Sequence, residues 1–325
     1  MSVSHGDTIV QNERKSKQFQ QWWLPSGQPK AIIVISHGYG EHCGRYEATA
    51  AAFVAHNFAV YAMDQQGHGR SDGDRGVVHD YMNWVDDLEA YIQTIASKHK
   101  DVPMFLLGHS MGGAVALKLA SQNPGCWKGV LLSAPMFQIG ERIWSKPIQW
   151  LGQTILPSFV YDTLVARPWC YLLHLLDSAA SMAFHHVQKQ ALRLVLTMAS
   201  AATPVAKLDA NELCRRKEVV EKYLNDPLVY SEALKMGTVY QLMDLTDHVH
   251  SRQVTAQMRC PIAIYHGTAD TITPVTGSLN LCPMLASTEK YLKVYPGMRH
   301  EILNEDVAAV TSDMLRWMEA ELAKC

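Results

Sequence analysis

Ser110 lies in a pattern that can supply a nucleophile. It is the centre of Gly108-His109-Ser110-Met111-Gly112, a Gly-x-Ser-x-Gly pattern that a buried apolar run precedes and a helix-forming run follows. In this setting the motif makes a strained turn between a strand and a helix, and the turn exposes the serine hydroxyl. The pattern therefore predicts nucleophilic acyl chemistry at Ser110. The simpler alternative is that Ser110 only caps a helix.

A serine hydroxyl is a weak nucleophile and needs a general base that is held by an acid. Two loops downstream of Ser110 offer these groups in the chain order serine, acid, histidine. Asp270 closely follows a short apolar run, and His300 follows the next such run. We predict that Ser110, Asp270 and His300 form a catalytic triad. His266 also follows an apolar run, but it precedes the acid, and we interpret it as structural.

Two backbone N–H groups should stabilise the negative charge that develops on the substrate oxygen. Met111, the residue after the nucleophile, is expected to supply one of them. The second should come from the loop His37-Gly38-Tyr39-Gly40, where flanking glycines let the backbone approach a substrate closely. Tyr39 is the predicted second donor; the alternative for this loop is an ordinary turn at the end of a strand.

The elements that must position these loops alternate between short apolar runs and longer helical patterns. This alternation is typical of an α/β fold with a mostly parallel sheet that helices cover on both faces. The predicted strands are 19–24, 31–35, 58–62, 104–107, 129–132, 261–265 and 291–294. The predicted helices are 46–56, 81–99, 111–122, 231–251 and 306–323.

The alternation stops between residues 136 and 224, where the sequence is rich in tryptophan, leucine and isoleucine. We predict that residues 136–224 form a helical cap between two parts of the core, residues 1–135 and 225–325. A transmembrane helix is disfavoured because the longest uncharged run of this segment, 147–161, is too short and contains two prolines. Such a cap could line an apolar tunnel and contact a membrane peripherally, or it could simply bury its own apolar face.

The composition is that of a folded domain with no strong charge bias. The chain has 325 residues, of which 48% are hydrophobic and 18% charged, and its net charge of −2 gives no reason to expect nucleic acid as a partner. Its seven cysteines include no CxxC pair, so neither a disulfide scaffold nor a metal site is expected. The polar N-terminus has no apolar core and does not resemble a signal peptide. We expect a cytoplasmic protein.

Several segments resemble the monoacylglycerol lipase and lysophospholipase family of α/β-hydrolases. Residues His37–Tyr46 resemble the HGxGEHxGRY segment of the family, and Asp64–Gly73 resemble its DxxGHGxSxG loop. Gly108–Gly113 is similar to its GHSMGG elbow, and Asn225–Leu228 to the segment that closes its cap. The acid and base loops match as well. The resemblance covers nearly the whole chain outside the insertion and implies the α/β-hydrolase fold.

The resemblance further implies that the chain cleaves monoacylglycerols, or similar small lipid esters, to a fatty acid and glycerol without a cofactor or metal. It places Glu41, Arg45 and Tyr223 near the end of the site that binds the alcohol. Glu41 and Arg45 could instead form a salt bridge that only fixes their loop.

Other activities could use the same triad. A lysophospholipase, a carboxylesterase or a thioesterase remains open as an alternative. An aminopeptidase would need acidic residues to bind a free amine, and the insertion has few of them. Hydrolases of this fold that use an aspartate nucleophile are excluded by the serine at position 110. A non-catalytic scaffold is disfavoured because all three triad residues are present in the expected order.

Overall fold

The computed structural model describes residues 4–140, 143 and 200–324. Its strands are β1 Ser4–Gln11, β2 Lys17–Leu24, β3 Ala31–Ser36, β4 Phe58–Met63, β5 Met104–His109, β6 Gly129–Ser133, β7 Pro204–Ala206, β8 Leu234–Lys235, β9 Ile262–Gly267 and β10 Lys290–Tyr295. Eight of them form a central sheet in the order β1-β2-β4-β3-β5-β6-β9-β10. The short strands β7 and β8 pair with each other in a separate two-stranded sheet.

The six strands from β4 to β10 in the sheet order are parallel. At one edge β2 pairs antiparallel with β4, and β1 pairs antiparallel with β2. Every residue of β3, β4, β6 and β9 is buried. Burial on both faces explains why these strands appear in the sequence as continuous apolar runs. Because their carboxyl ends lie at the same edge of the sheet, the loops that follow β3, β5, β9 and β10 meet there.

Helices pack on both faces of the sheet and bury two separate hydrophobic clusters. One cluster includes Trp84 and Val115 from helices on one face, and the other includes Phe53 and Met314 from helices on the opposite face. The described α-helices are α1 Glu47–Ala55, α2 Met82–Lys98, α3 Met111–Gln122, α4 Ala210–Leu213, α5 Lys217–Asn225, α6 Met236–His250, α7 Arg252–Thr255, α8 Val275–Leu281, α9 Ile302–Glu305 and α10 Val307–Leu322.

The predicted α/β class and the predicted strands and long helices are confirmed, with ends that shift by a few residues. The helix predicted from Ser231 begins only at Met236, because the short strand β8 precedes it. Strand β1 was not predicted. Its residues are mostly exposed at the edge of the sheet, so it carries no apolar pattern.

Most of the predicted cap lies outside the described residues, namely 141–142 and 144–199. The described part of residues 136–224 includes β7, α4 and α5, and β7 pairs with β8. Within the described part of the chain, no helix combines the length and the apolar character that crossing a membrane requires.

Candidate active site

The turn at Ser110 joins β5 directly to α3 and has the strained backbone that the motif predicts. Ser110 has φ +53°, a value that non-glycine residues rarely adopt. Its side chain makes no capping hydrogen bond to the helix, so the simple cap interpretation is wrong. A Cβ atom on Gly108 would lie 2.5 Å from the carbonyl oxygen of Gly112. A Cβ atom on Gly112 would overlap the carbonyl groups of Ser36, the last residue of β3, and His37, which follows it. The turn therefore requires both glycines.

The structure brings together the three residues of the predicted triad. His300 Nε2 lies 2.8 Å from Ser110 Oγ, and His300 Nδ1 lies 2.8 Å from Asp270 Oδ2. All three residues are buried. An ionised carboxylate only accepts hydrogen bonds, so Nδ1 carries the proton and Nε2 is free to accept one from the Ser110 hydroxyl. This is the arrangement that a general base for Ser110 needs.

Charge and burial act in opposite directions on this pair. Burial disfavours the charged form of His300, but the Asp270 carboxylate outweighs it and raises the pKa of His300 above its ordinary value. Burial likewise opposes ionisation of Asp270, yet His300 and His266 hold its pKa well below the usual range. Asp270 is therefore ionised at neutral pH and stabilises a protonated His300.

Asp270 is held by more than His300. Its Oδ1 accepts the backbone N–H groups of Ile272 and Thr273, each at 2.9 Å. Its Oδ2 also accepts the Thr273 hydroxyl at 3.0 Å and His266 Nε2 at 3.1 Å. His266, which we interpreted as structural, thus contacts the acid itself. Its place at the end of β9, four residues before Asp270, was the signal for this contact.

The loop after β3 is fixed at both ends. Gly38 donates its N–H to Glu41 Oε1 at 2.6 Å, and Tyr230 donates its N–H to the Gly40 carbonyl at 2.7 Å. The hydroxyl of Tyr39 binds the carbonyl of Gly76 at 2.7 Å. Gly40 has φ +78°, which favours glycine at this position. Since the Gly38 N–H is engaged, the Tyr39 N–H is the next amide of the loop that could face a substrate.

Met111 is the first residue of α3. The first N–H groups of a helix have no partner within the helix, so the position of Met111 suits an amide that stabilises a negative charge. Of the two predicted oxyanion donors, Tyr39 lines the pocket around Ser110, and Met111 directly follows Ser110 in the chain.

Glu41, Arg45 and Tyr223 lie together, as the resemblance implied, and the structure adds Glu301 to them. Arg45 binds Glu41 Oε2 at 2.8 Å and both oxygens of Glu301 at 2.8 Å each. Its guanidinium lies 4.9 Å from the centre of the Tyr223 ring. Burial would raise the pKa of Glu41, but Arg45 and nearby histidines lower it to about 2. Glu41 and Arg45 therefore form the salt bridge that was considered as the alternative to binding the alcohol. The sequence analysis did not identify Glu301 as their partner.

The pocket around Ser110 is lined by a polar cluster and by apolar side chains. Glu41, Arg45, Tyr223 and Glu301 form the polar cluster. The apolar lining residues are Met136, Ile139, Ile143, Leu208, Leu213, Leu234, Leu242 and Ile272. The described residues include no group of three or more histidine, cysteine or acidic side chains that could hold a metal ion. The arrangement suits an ester with an apolar acyl group and a polar alcohol.

A family model described as "Serine aminopeptidase, S33" matches residues 27–307. The chain belongs to this hydrolase family. It is 32% identical over 301 residues to the monoacylglycerol lipase of Mycolicibacterium smegmatis, an alignment that covers 92% of each chain. It is 31% identical over 296 residues to the human monoglyceride lipase, covering 91% of this chain and 83% of the relative. The family resemblance inferred from the motifs is confirmed.

Solved structures support the fold of this S33 family member. A soluble variant of the Saccharomyces cerevisiae monoglyceride lipase, solved with a substrate analog, matches with a TM-score of 0.75 at 20% identity, covering 98% of this chain and 95% of the other. The Paleococcus ferrophilus monoacylglycerol lipase matches with a TM-score of 0.69 at 22% identity, covering 99% and 100%. These likenesses confirm the α/β-hydrolase fold.

Proposed function

We propose that the chain hydrolyses monoacylglycerols to a fatty acid and glycerol through an acyl-enzyme on Ser110. The observation that carries this proposal is the pair of 2.8 Å contacts that link Ser110 to His300 and His300 to Asp270. Relatives named monoacylglycerol or monoglyceride lipase, at 30–32% identity over about nine tenths of the chain, support the choice of substrate.

The reaction has two steps. His300 Nε2 takes the proton of Ser110 as its oxygen attacks the ester carbonyl, and Asp270 stabilises the resulting imidazolium. The N–H groups of Tyr39 and Met111 bind the oxyanion, a contribution of roughly 3 kcal/mol for each such donor. Protonated His300 then gives its proton to the leaving glycerol oxygen. A water molecule that the same histidine activates releases the fatty acid from Ser110.

The polar cluster of the pocket favours a neutral alcohol such as glycerol. Glu41 and Glu301 both bind Arg45, so two carboxylates face one guanidinium and the cluster carries one surplus negative charge. That surplus opposes the phosphate of a lysophospholipid. Glycerol hydroxyls can instead exchange hydrogen bonds with Arg45 and Tyr223.

Residues 136–224 are proposed to form a cap that covers the acyl side of the pocket, between core segments 1–135 and 225–325. The apolar composition of this segment fits contact with the membrane in which such lipids dissolve. We accordingly propose a cytoplasmic protein that contacts membranes peripherally. Sedimentation of the protein with neutral lipid vesicles would support this contact, and a protein that stays wholly in the supernatant would contradict it.

A hydrolysis panel tests the substrate. The purified chain is given monoacylglycerols, lysophospholipids, acyl-CoAs and aminoacyl amides, with Ser110→Ala as the control for background hydrolysis. We expect monoacylglycerols to give the highest kcat/KM and the control to be inactive. Turnover of a lysophospholipid or an acyl-CoA about tenfold above every monoacylglycerol, a difference of about 1.4 kcal/mol, would overturn the substrate and leave the triad intact.

A further inference from the structure

Glu301 is the residue next to His300, and it forms one end of a buried ionic cluster with Arg45 and Glu41. Its two carboxylate oxygens bind two nitrogens of Arg45, each at 2.8 Å. One of those nitrogens also binds Glu41 Oε2 at 2.8 Å. The side chains of Glu301, Arg45 and Glu41 are 4%, 10% and 4% exposed, so solvent screens these contacts weakly. A bidentate pair of this kind fixes orientation as well as distance.

The other end of the cluster holds the loop after β3. Glu41 Oε1 accepts the N–H of Gly38 at 2.6 Å and the hydroxyl of Tyr46 at 2.7 Å. Gly38 packs directly beside the nucleophile, since a Cβ atom on it would lie 3.2 Å from the Cβ of Ser110. The next amide is that of Tyr39. A continuous series of hydrogen bonds thus runs from the loop of the base to the loop of the predicted oxyanion donor.

We infer that Glu301 is a positioning residue that acts through Arg45 and Glu41 to hold the Tyr39 amide in register with Ser110 and His300. This inference rests on the proposed acyl-enzyme chemistry but not on glycerol as the alcohol. The geometric requirement is strict, because oxyanion donors must lie about 2.7–3.1 Å from where the charge develops. The loops after β3 and β10 are far apart in the chain, and this cluster links them across the pocket.

Other contacts hold other parts of this loop. Tyr230 donates its N–H to the Gly40 carbonyl, and the Tyr39 hydroxyl binds the Gly76 carbonyl, each at 2.7 Å. The Glu41 carboxylate holds the loop at the Gly38 N–H, the amide directly before that of Tyr39. If Glu301 no longer binds Arg45, the guanidinium can turn and draw Glu41 with it. The oxyanion donor would then be displaced while the triad itself stays intact.

A neutral substitution separates this role from direct binding of the alcohol. Glu301→Gln keeps the shape of the side chain and removes its charge. It is assayed with a monoacylglycerol and with p-nitrophenyl butyrate, which has no glycerol. We expect kcat/KM to fall at least about tenfold for both esters, less than the roughly 10²-fold loss from removing a donor outright. The inhibition constant of a trifluoromethyl ketone, whose adduct on Ser110 bears the oxyanion, should rise by a similar factor.

Glu321→Gln is the matched control. Glu321 is also a buried glutamate in an ion pair, with Lys324, but it lies at the end of α10 and does not line the pocket. We expect this variant to retain wild-type kinetics. Its result shows whether loss of any buried carboxylate changes the rate.

Two results would overturn the positioning role. One is an unchanged rate of Glu301→Gln on p-nitrophenyl butyrate with an unchanged ketone inhibition constant, whatever happens to the monoacylglycerol. The other is a loss of rate that the ketone affinity does not follow. If Glu301→Gln does not fold, Glu301→Asp, which keeps the charge but shortens the reach to Arg45, is used in the same assays. A wild-type chain that cleaves p-nitrophenyl butyrate but no monoacylglycerol would refute the proposed substrate alone.

Discussion

Replacement of Asp270 by asparagine should remove nearly all activity while the fold is retained, and the contacts of Asp270 explain why. Its Oδ1 accepts two backbone N–H groups, from Ile272 and Thr273. Only the amide oxygen of an asparagine can take that place, so the NH₂ group must occupy the position of Oδ2. There it faces His300 Nδ1, which lies 2.8 Å from that oxygen in the wild type.

An NH₂ group donates hydrogen bonds, so His300 can accept from it only if Nδ1 has lost its proton. The proton then lies on Nε2 and points toward the Ser110 hydroxyl, which cannot be deprotonated by a nitrogen that already carries hydrogen. The wrong tautomer should lower kcat by about 10⁴-fold, or about 5 kcal/mol of transition-state stabilisation. The packing volume is unchanged, so the unfolding temperature should change far less than the rate.

The assay is steady-state hydrolysis of p-nitrophenyl butyrate, with thermal unfolding measured on the same preparations. Asp313→Asn makes the same chemical change at a buried carboxylate that binds Tyr295 and Arg316 away from the pocket. We expect that variant to keep a kcat close to wild type. A folded Asp270→Asn variant that retains more than about a tenth of the wild-type kcat, within 1.4 kcal/mol of it, would refute the reasoning.

Three further predictions follow from the charges and close contacts of the site. Burial opposes a charge on His300, but Asp270 raises the pKa of His300 above its ordinary value of about 6.5. The kcat/KM should therefore fall on acidification with a midpoint above that value. A midpoint below about 6 would contradict this. Burial would raise the pKa of Glu41 but Arg45 lowers it to about 2, so its stabilising effect is complete above the unfolded value of about 4.3 and is lost as pH falls toward about 2. The difference in unfolding free energy between wild type and Glu41→Gln should shrink over that window, and a constant difference would argue against the ion pair. Gly112→Ala should lower both the unfolding temperature and kcat, because its Cβ would overlap the backbone carbonyls of Ser36 and His37 and cost about 1–3 kcal/mol. Full activity at unchanged stability would show that the turn tolerates a side chain.

Much of the site could be predicted because its signals are local. The turn at Ser110 needs small residues two positions before and after it, and the strand and helix on either side are visible in the sequence. Asp270 and His300 follow β9 and β10, which run parallel to β5, the strand before Ser110. The carboxyl ends of parallel strands lie together, so the meeting of these three residues follows from the topology.

Other features depend on contacts between distant parts of the chain. Glu301 binds Arg45 across 256 positions of sequence, and no local pattern reveals that partner. Strand β1 lies exposed at the edge of the sheet, so its pairing with β2 leaves no apolar alternation to read.

The most direct test titrates Ser110 against the proposed activity. The chain is labelled with increasing amounts of a fluorophosphonate, the modified residue is located by peptide mass spectrometry, and the remaining monoacylglycerol hydrolysis is measured in the same samples. We expect the label on Ser110 alone, and a fractional loss of monoacylglycerol hydrolysis that equals the fraction of Ser110 modified. Monoacylglycerol hydrolysis that persists when Ser110 is fully labelled would contradict the account.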